Sequence, residues 1–173
     1  MLQIPFYVCE GRRCAQTSLR SILKYKCIST SINELDKLVG ADNENRISTL
    51  QVANALNKLN INFRYLVKSD FENMSVSSLE KITKEFYPRN ISSRFNFNSL
   101  KESLNNIQKN NLYEVSDYRF TLDELKRFID IGEIPLCLIN MDRMVNRKDM
   151  KRGHYLILTD IGKKYVYAHD SGP

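Results

Sequence analysis

Apolar positions along the chain recur first at helical spacing and later with strand alternation. After the polar turn Cys9-Glu10-Gly11-Arg12-Arg13, the residues Leu19, Ile22, Leu23 and Lys26 fall three to four apart, which predicts a helix opened by Cys14. Thr30 or Ser31 stands where a second helix would be capped. Glu34 is then the capping-box partner of Ser31, with Leu35, Leu38 and Val39 as the apolar stripe and Gly40 as the stop. Ser48 precedes a third helix carrying Val52, Ala53, Leu56 and Leu59. Next, Ile61, Phe63, Tyr65 and Val67 alternate with Asn62, Arg64 and Leu66, the period of a strand and the expected first strand of the sheet.

From residue 68 to 117 the pattern loosens. A helix is predicted near Val76 to Phe86, ending before Pro88, and a weaker helical pattern rich in asparagine and lysine runs from Phe97 to Leu112. This stretch reads as a variable helical insertion. Beyond it the signal sharpens into an amphipathic helix over Thr121 to Ile131, stopped by Gly132. Strands follow at Ile134 to Ile139, Tyr155 to Thr159 and Tyr165 to Ala168, with Pro135 in the first residues of its strand, where proline is tolerated. No Pro/Gly/Ser linker divides the chain, so a single domain over 1–173 is expected. Helices gathered toward the N-terminus and strands toward the C-terminus make an α+β class, with helix faces packed on an antiparallel sheet.

Composition narrows the function classes. The 173 residues suffice for a core without disulfide staples, and 42% hydrophobic with 27% charged residues describes a globular chain. No stretch approaches the roughly 18 consecutive apolar residues of a membrane helix. The apolar start Met1 to Val8 is short and lacks the basic region and cleavage site of an export signal, so a cytoplasmic protein is expected. The balance of 26 basic and 20 acidic residues, +6, favours anionic partners without naming one. Cys9, Cys14, Cys27 and Cys137 show no Cys-x-x-Cys spacing, and both histidines lie far from the first three. A metal site is therefore not expected, and reduced thiols are.

That leaves the cysteines to be weighed one by one. Cys14 at a helix start sits where backbone N–H groups and the helix dipole favour a thiolate, and Arg12 and Arg13 act in the same sense. The alternative is a small core residue, since cysteine is among the most buried types. A thiol nucleophile needs a base, and histidine is suited to proton transfer near neutral pH. His154 opens the strand Tyr155 to Thr159, where its side chain would project from a sheet edge into a cleft. Asp170 ends the next strand. If the two strands pair as a hairpin across Asp160 to Lys164, His154 and Asp170 become neighbours, the relationship of a base to the group that orients it.

These residues resemble the papain-like cysteine peptidases of the bacteriocin-processing, double-glycine-leader type and their stand-alone relatives. The resemblance lies in Ile4-Pro5-Phe6-Tyr7 leading to Cys14 and the helix Leu19-Arg20-Ser21-Ile22-Leu23, in Gly153-His154-Tyr155-Leu156, and in Asp170-Ser171-Gly172-Pro173. It covers about residues 1–67 and 120–173 and leaves the middle out. It implies a papain-like fold in which Cys14 is the nucleophile, His154 its base and Asp170 the orienter, acting on a peptide or protein substrate without metal or organic cofactor. One departure stands out. The family has a glutamine about half a dozen residues before its cysteine, donating to the oxyanion, whereas Val8 and Cys9 stand here, Gln3 is too far upstream and Gln16 lies on the other side. A slow enzyme, another oxyanion donor, or a domain that binds a peptide without cutting it all remain open. Loss of such a donor costs on the order of a hundredfold in rate or more.

The remaining candidates are weaker. Cys9 is read as a buried residue in preference to a resolving thiol for Cys14 or a replacement for the glutamine. Cys27 is read as structural, and Cys137, inside an apolar strand, as core. His169 precedes Asp170 on its strand and so should face away from it. The basic segment from Asp142 to Arg152 reads as a solvated loop before one that steers an acidic substrate. Net charge and that loop are all that support a nucleic-acid module, which the absence of a basic stripe with interleaved aromatics opposes.

Overall fold

The computed structural model describes residues 1–9, 11–41, 46–67, 69–86, 94–116, 120–141 and 153–171. The chain divides into two compact units, one formed by residues 1–35 with 119–173 and the other by 36–118. Both mix helix and strand.

The first unit is built on a three-stranded antiparallel sheet of β3 (Leu136–Asn140), β4 (Gly153–Ile161) and β5 (Val166–Asp170), in the order β3-β4-β5. Helix α1 (Cys14–Tyr25) packs on β4 through Ile22, which clusters with Ile4 and Ile157 and with Leu2, Ile134 and Leu136 around them. It ends where Cys27 adopts a left-handed φ of 62° and the Ile28 N–H reaches back 2.8 Å to the Leu23 carbonyl, a Schellman-type stop. Helix α6 (Leu122–Asp130) starts at a reciprocal box between Thr121 and Glu124 and stops at Gly132, φ 85°. Its Ile129 joins Leu158 and Ile161 in a second cluster, so β4 is covered on both faces. Leu158 and Ile161 share that cluster although they are three residues apart, because a bulge between Leu158 and Asp160 interrupts the alternation. The helix over residues 121–131 and the three strands were legible as sequence periods, each within about two residues of its observed ends.

The second unit packs α3 (Thr49–Lys58) on α5 (Phe97–Lys109), with Leu50, Ala53, Phe71, Leu104 and Ile107 as its buried cluster. Before α3 and α5 in the chain, α2 (Ile32–Val39), whose residues are divided between the two units, carries the expected Ser31–Glu34 box and ends at Gly40. Between them come β1 (Leu66–Val67), a 3₁₀ turn over Ser69–Asn73 and α4 (Val76–Phe86).

The strand expected over residues 61–67 needs correction. Only Leu66 and Val67 pair, in parallel with β2 (Glu114–Val115), in a two-stranded sheet separate from the main one. The alternation of Phe63, Tyr65 and Val67 arises because these side chains pack on the α3/α5 cluster. Alternating burial needs a surface to face, not a ladder partner. The segment Asp142 to Arg152 and the Gly172-Pro173 end of the C-terminal motif lie outside the described residues.

Candidate active site

Cys14 is the first residue of α1, and Arg13 before it caps the helix with its backbone alone. The first intrahelical bond runs from the Thr17 N–H to the Arg13 carbonyl at 2.8 Å, so the N–H groups of Cys14, Ala15 and Gln16 have no helical acceptor. The amide of Ala15 and, from β4, that of Tyr155 donate to the Cys14 sulfur, and His154 hydrogen-bonds it. Burial of the half-buried thiol pushes its pKa up. The His154 hydrogen bond, the Tyr155 amide, the imidazolium charge and the Ala15 amide together outweigh burial and hold the thiol below its ordinary value. The expected help from Arg12 and Arg13 is not among these causes, and Arg12 is exposed.

His154 is the second residue of β4, the central strand of its sheet, where a sheet edge was expected. It is only 8% exposed. Its Nε2 lies 2.6 Å from Asp170 Oδ1. With Nε2–H donating to the carboxylate, Nδ1 is the nitrogen left for the thiol of Cys14. The Cys14 hydrogen bond raises the His154 pKa, desolvation opposes it, and the Asp170 hydrogen bond and both negative charges add to the rise, to about 9. The thiol is held down and the imidazole held up, and both shifts run in the direction of a thiolate–imidazolium pair. The structure thus brings Cys14, His154 and Asp170 together in one unit.

His169 turns away, as the alternation implies. It pairs across the ladder with Ile157, and its ring meets Phe6 edge-on with centroids 5.5 Å apart. Cys9 is half-exposed, not buried, with its sulfur 3.5 Å from the Gly11 carbonyl oxygen and its N–H bonded to the Ser171 carbonyl. Cys27 is exposed at the helix stop. Cys137 is half-buried, not fully in the core, and burial raises its thiol. Among the described residues no group of His, Cys, Asp and Glu gathers to hold a metal, and no helix is long and apolar enough to cross a membrane.

The sequence did not point to the Ala15 and Tyr155 amides, because main-chain donors leave no mark in residue type. It also passed over Arg20, whose guanidinium lies 4.4 Å from the ring centre of Tyr7. No protein-family model, curated protein or solved structure matches the chain.

Proposed function

We propose that the chain is a papain-like cysteine hydrolase that cleaves a peptide or amide bond through a thioester at Cys14. One observation carries this reading: His154 hydrogen-bonds Cys14 on one side and Asp170 on the other, at 2.6 Å. In the resting pair the proton already sits on His154. The Cys14 thiolate attacks the substrate carbonyl carbon, and the N–H of Cys14 at the open helix start donates to the oxyanion. Collapse breaks the C–N bond, the leaving amine takes the proton from His154, and a thioester remains. His154, now neutral, removes a proton from water, the hydroxide attacks the thioester, and the acid departs as the thiolate–imidazolium pair is restored. Asp170 holds the ring so that the reactive nitrogen faces sulfur. No metal or organic cofactor enters these steps. The four cysteines carry no disulfide, which fits a reducing compartment such as the cytoplasm.

A second reading has its own observation. No glutamine side chain stands before Cys14 where the resembling family carries one, and the residues there, Val8 and Cys9, are 72% exposed and half-exposed. A domain that binds a peptide without cutting it would need no such donor. Acetylation by p-nitrophenyl acetate separates the two. The hydrolase gives a burst of nitrophenolate, a hydroxylamine-labile acetyl group on Cys14 and continued turnover, all lost in Cys14→Ala. A protein that forms no Cys14 adduct, or reacts equally after that substitution, is not this hydrolase.

A further inference from the structure

We propose that the recess beside the first turns of α1 is a subsite for a carboxylate of an acidic peptide substrate, with Arg20 as its anchor. The proposal rests on the reading of Cys14 as nucleophile. Tyr7, Val8, Arg13, Thr17, Arg20 and Ile32 line a recess of about 330 Å³, part of it open to solvent. Arg13, Thr17 and Arg20 fall at i, i+4 and i+7 and so form one stripe of α1, beginning at the residue before the nucleophile.

Arg20 is what points to a ligand. Its guanidinium carbon lies 4.4 Å from the ring centre of Tyr7, a cation–π contact that restrains the side chain. Its Nε is buried without a hydrogen-bond partner, and Arg20 has no ion pair among the described residues. A half-buried guanidinium restrained by an aromatic ring, with its buried Nε–H unanswered, is matched by a carboxylate, which can accept two parallel hydrogen bonds from the Arg fork. Arg13, which has contacts of its own, adds a second positive charge at the same wall. Val8 and Ile32 supply apolar walls against which the methylenes of a glutamate side chain can lie. Phosphate would fit the charge but would leave those apolar walls without a partner.

Position gives the register. Arg20 lies six residues after Cys14 on α1, about 9 Å along the axis at 1.5 Å per residue. An extended peptide covers that span in about three residues. The preferred acidic residue therefore stands two to four positions from the scissile bond.

The test uses three alkylating peptides on the full chain: iodoacetyl-Gly-Gly-Glu-amide, the same peptide with glutamine, and the glutamine peptide with a free C-terminal carboxylate. Second-order rates of Cys14 modification are read by mass spectrometry, with Cys27 in the same sample as reference. The glutamate amide should react about tenfold faster than the glutamine amide at low salt. That ratio should shrink as salt rises, and approach one in Arg20→Gln. A free-acid peptide that outpaces both amides would assign the same subsite to a terminal carboxylate. Each protein supplies its own ratio, and a circular dichroism melt checks that the variant folds. If it does not, Tyr7→Leu, which removes the ring beside the guanidinium, should cut the ratio instead. Equal rates for the glutamate and glutamine amides on a fast-reacting Cys14, or a preference that survives Arg20→Gln, overturns the subsite. Failure of the hydrolase reading looks different: all three peptides modify Cys14 no faster than Cys27, and His154→Ala changes nothing.

Discussion

His154 reaches Asp170 across the β4–β5 ladder on a diagonal: the register sets Asp170 opposite Leu156, yet His154 Nε2 and Asp170 Oδ1 are 2.6 Å apart. His154 and Leu156 are two residues apart on one strand and so face the same way, which puts the imidazole within reach of a carboxylate one pair further along. The bulge between Leu158 and Asp160 absorbs one residue and brings Asp170 onto that face. The hairpin is therefore part of the site as well as of the core.

From this diagonal follows a non-additive ladder of losses. His154→Ala removes the hydrogen bond that does most to lower the Cys14 thiol, and alkylation by iodoacetamide at pH 7 should slow about tenfold. An ordinary thiol is only a few per cent thiolate there, partly offset by its greater intrinsic nucleophilicity. Asp170→Asn should fall between, because the ring survives but loses its partner. The double variant should match His154→Ala alone, since an orienter without a base has nothing to orient. Losses that simply multiply, or a larger loss from His169→Ala, would remove the proposed triad.

The cysteines should also separate in a brief labelling experiment at pH 6.5. Cys14 should be modified first, because its thiol is held low by defined donors. Cys137 should come last, since burial raises it. Exposed Cys27 is the informative control: if access rather than thiolate character governed the rates, Cys27 would lead.

How far the sequence reveals this molecule depends on which forces leave a period. α1, α3 and α6 were legible because a buried stripe must repeat every three to four residues, and the caps at Ser48 and Thr121 are side-chain chemistry. His154 and Asp170 could be brought together by hairpin logic, whereas Cys14 was joined to them by a thiol's need for a base and by the family resemblance. The diagonal offset could not, because a bulge has no required residue type here. β2 was missed since Glu114 and Val115 are two exposed residues whose pairing depends on a partner 48 positions away. The 61–65 segment misled for the opposite reason, showing alternation without a ladder. The Tyr7–Arg20 contact depends on how an irregular N-terminal segment passes α1, which no local pattern encodes.

The second unit offers a stability test. Gln51 is fully buried, accepts from the Ser48 N–H at 2.9 Å, and donates to the Val39 carbonyl at 2.9 Å and the Ser99 hydroxyl at 3.0 Å. Gln51→Ala should destabilise by about 2–4 kcal/mol, combining lost hydrogen bonds, a buried carbonyl with one donor fewer, and a cavity. Gln51→Glu should be no better, because a carboxylate cannot donate to Val39. Urea unfolding of each variant decides it; a loss below about 1 kcal/mol for both would mean these bonds are replaced by water.

The last test is the pH profile of acyl transfer, and its sign follows from which partner must carry the proton. Breakdown of the tetrahedral adduct needs the imidazolium as acid, and attack needs the thiolate as nucleophile, so the active form is the ion pair. The Cys14 pKa is lowered from the ordinary thiol value, so the thiolate persists on the acid side of that value and the rate should rise there with increasing pH. The His154 pKa is raised to about 9, so the imidazolium is lost as the pH passes through that value and the rate should fall on the alkaline side. A bell is expected, and its two limbs belong to the coupled pair rather than to either residue. Asp170 is one cause of the raised imidazole, so Asp170→Asn should move the alkaline limb toward lower pH as well as lowering the plateau. Initial rates of cleavage of a Gly-Gly p-nitroanilide across pH 5 to 10, in wild type and in Asp170→Asn, measure both, because an anilide nitrogen leaves only when it is protonated. A rate that climbs steadily through pH 10 would mean that a free thiolate acts without the imidazolium. An alkaline limb unmoved by Asp170→Asn would mean that the 2.6 Å contact does not govern the proton on His154.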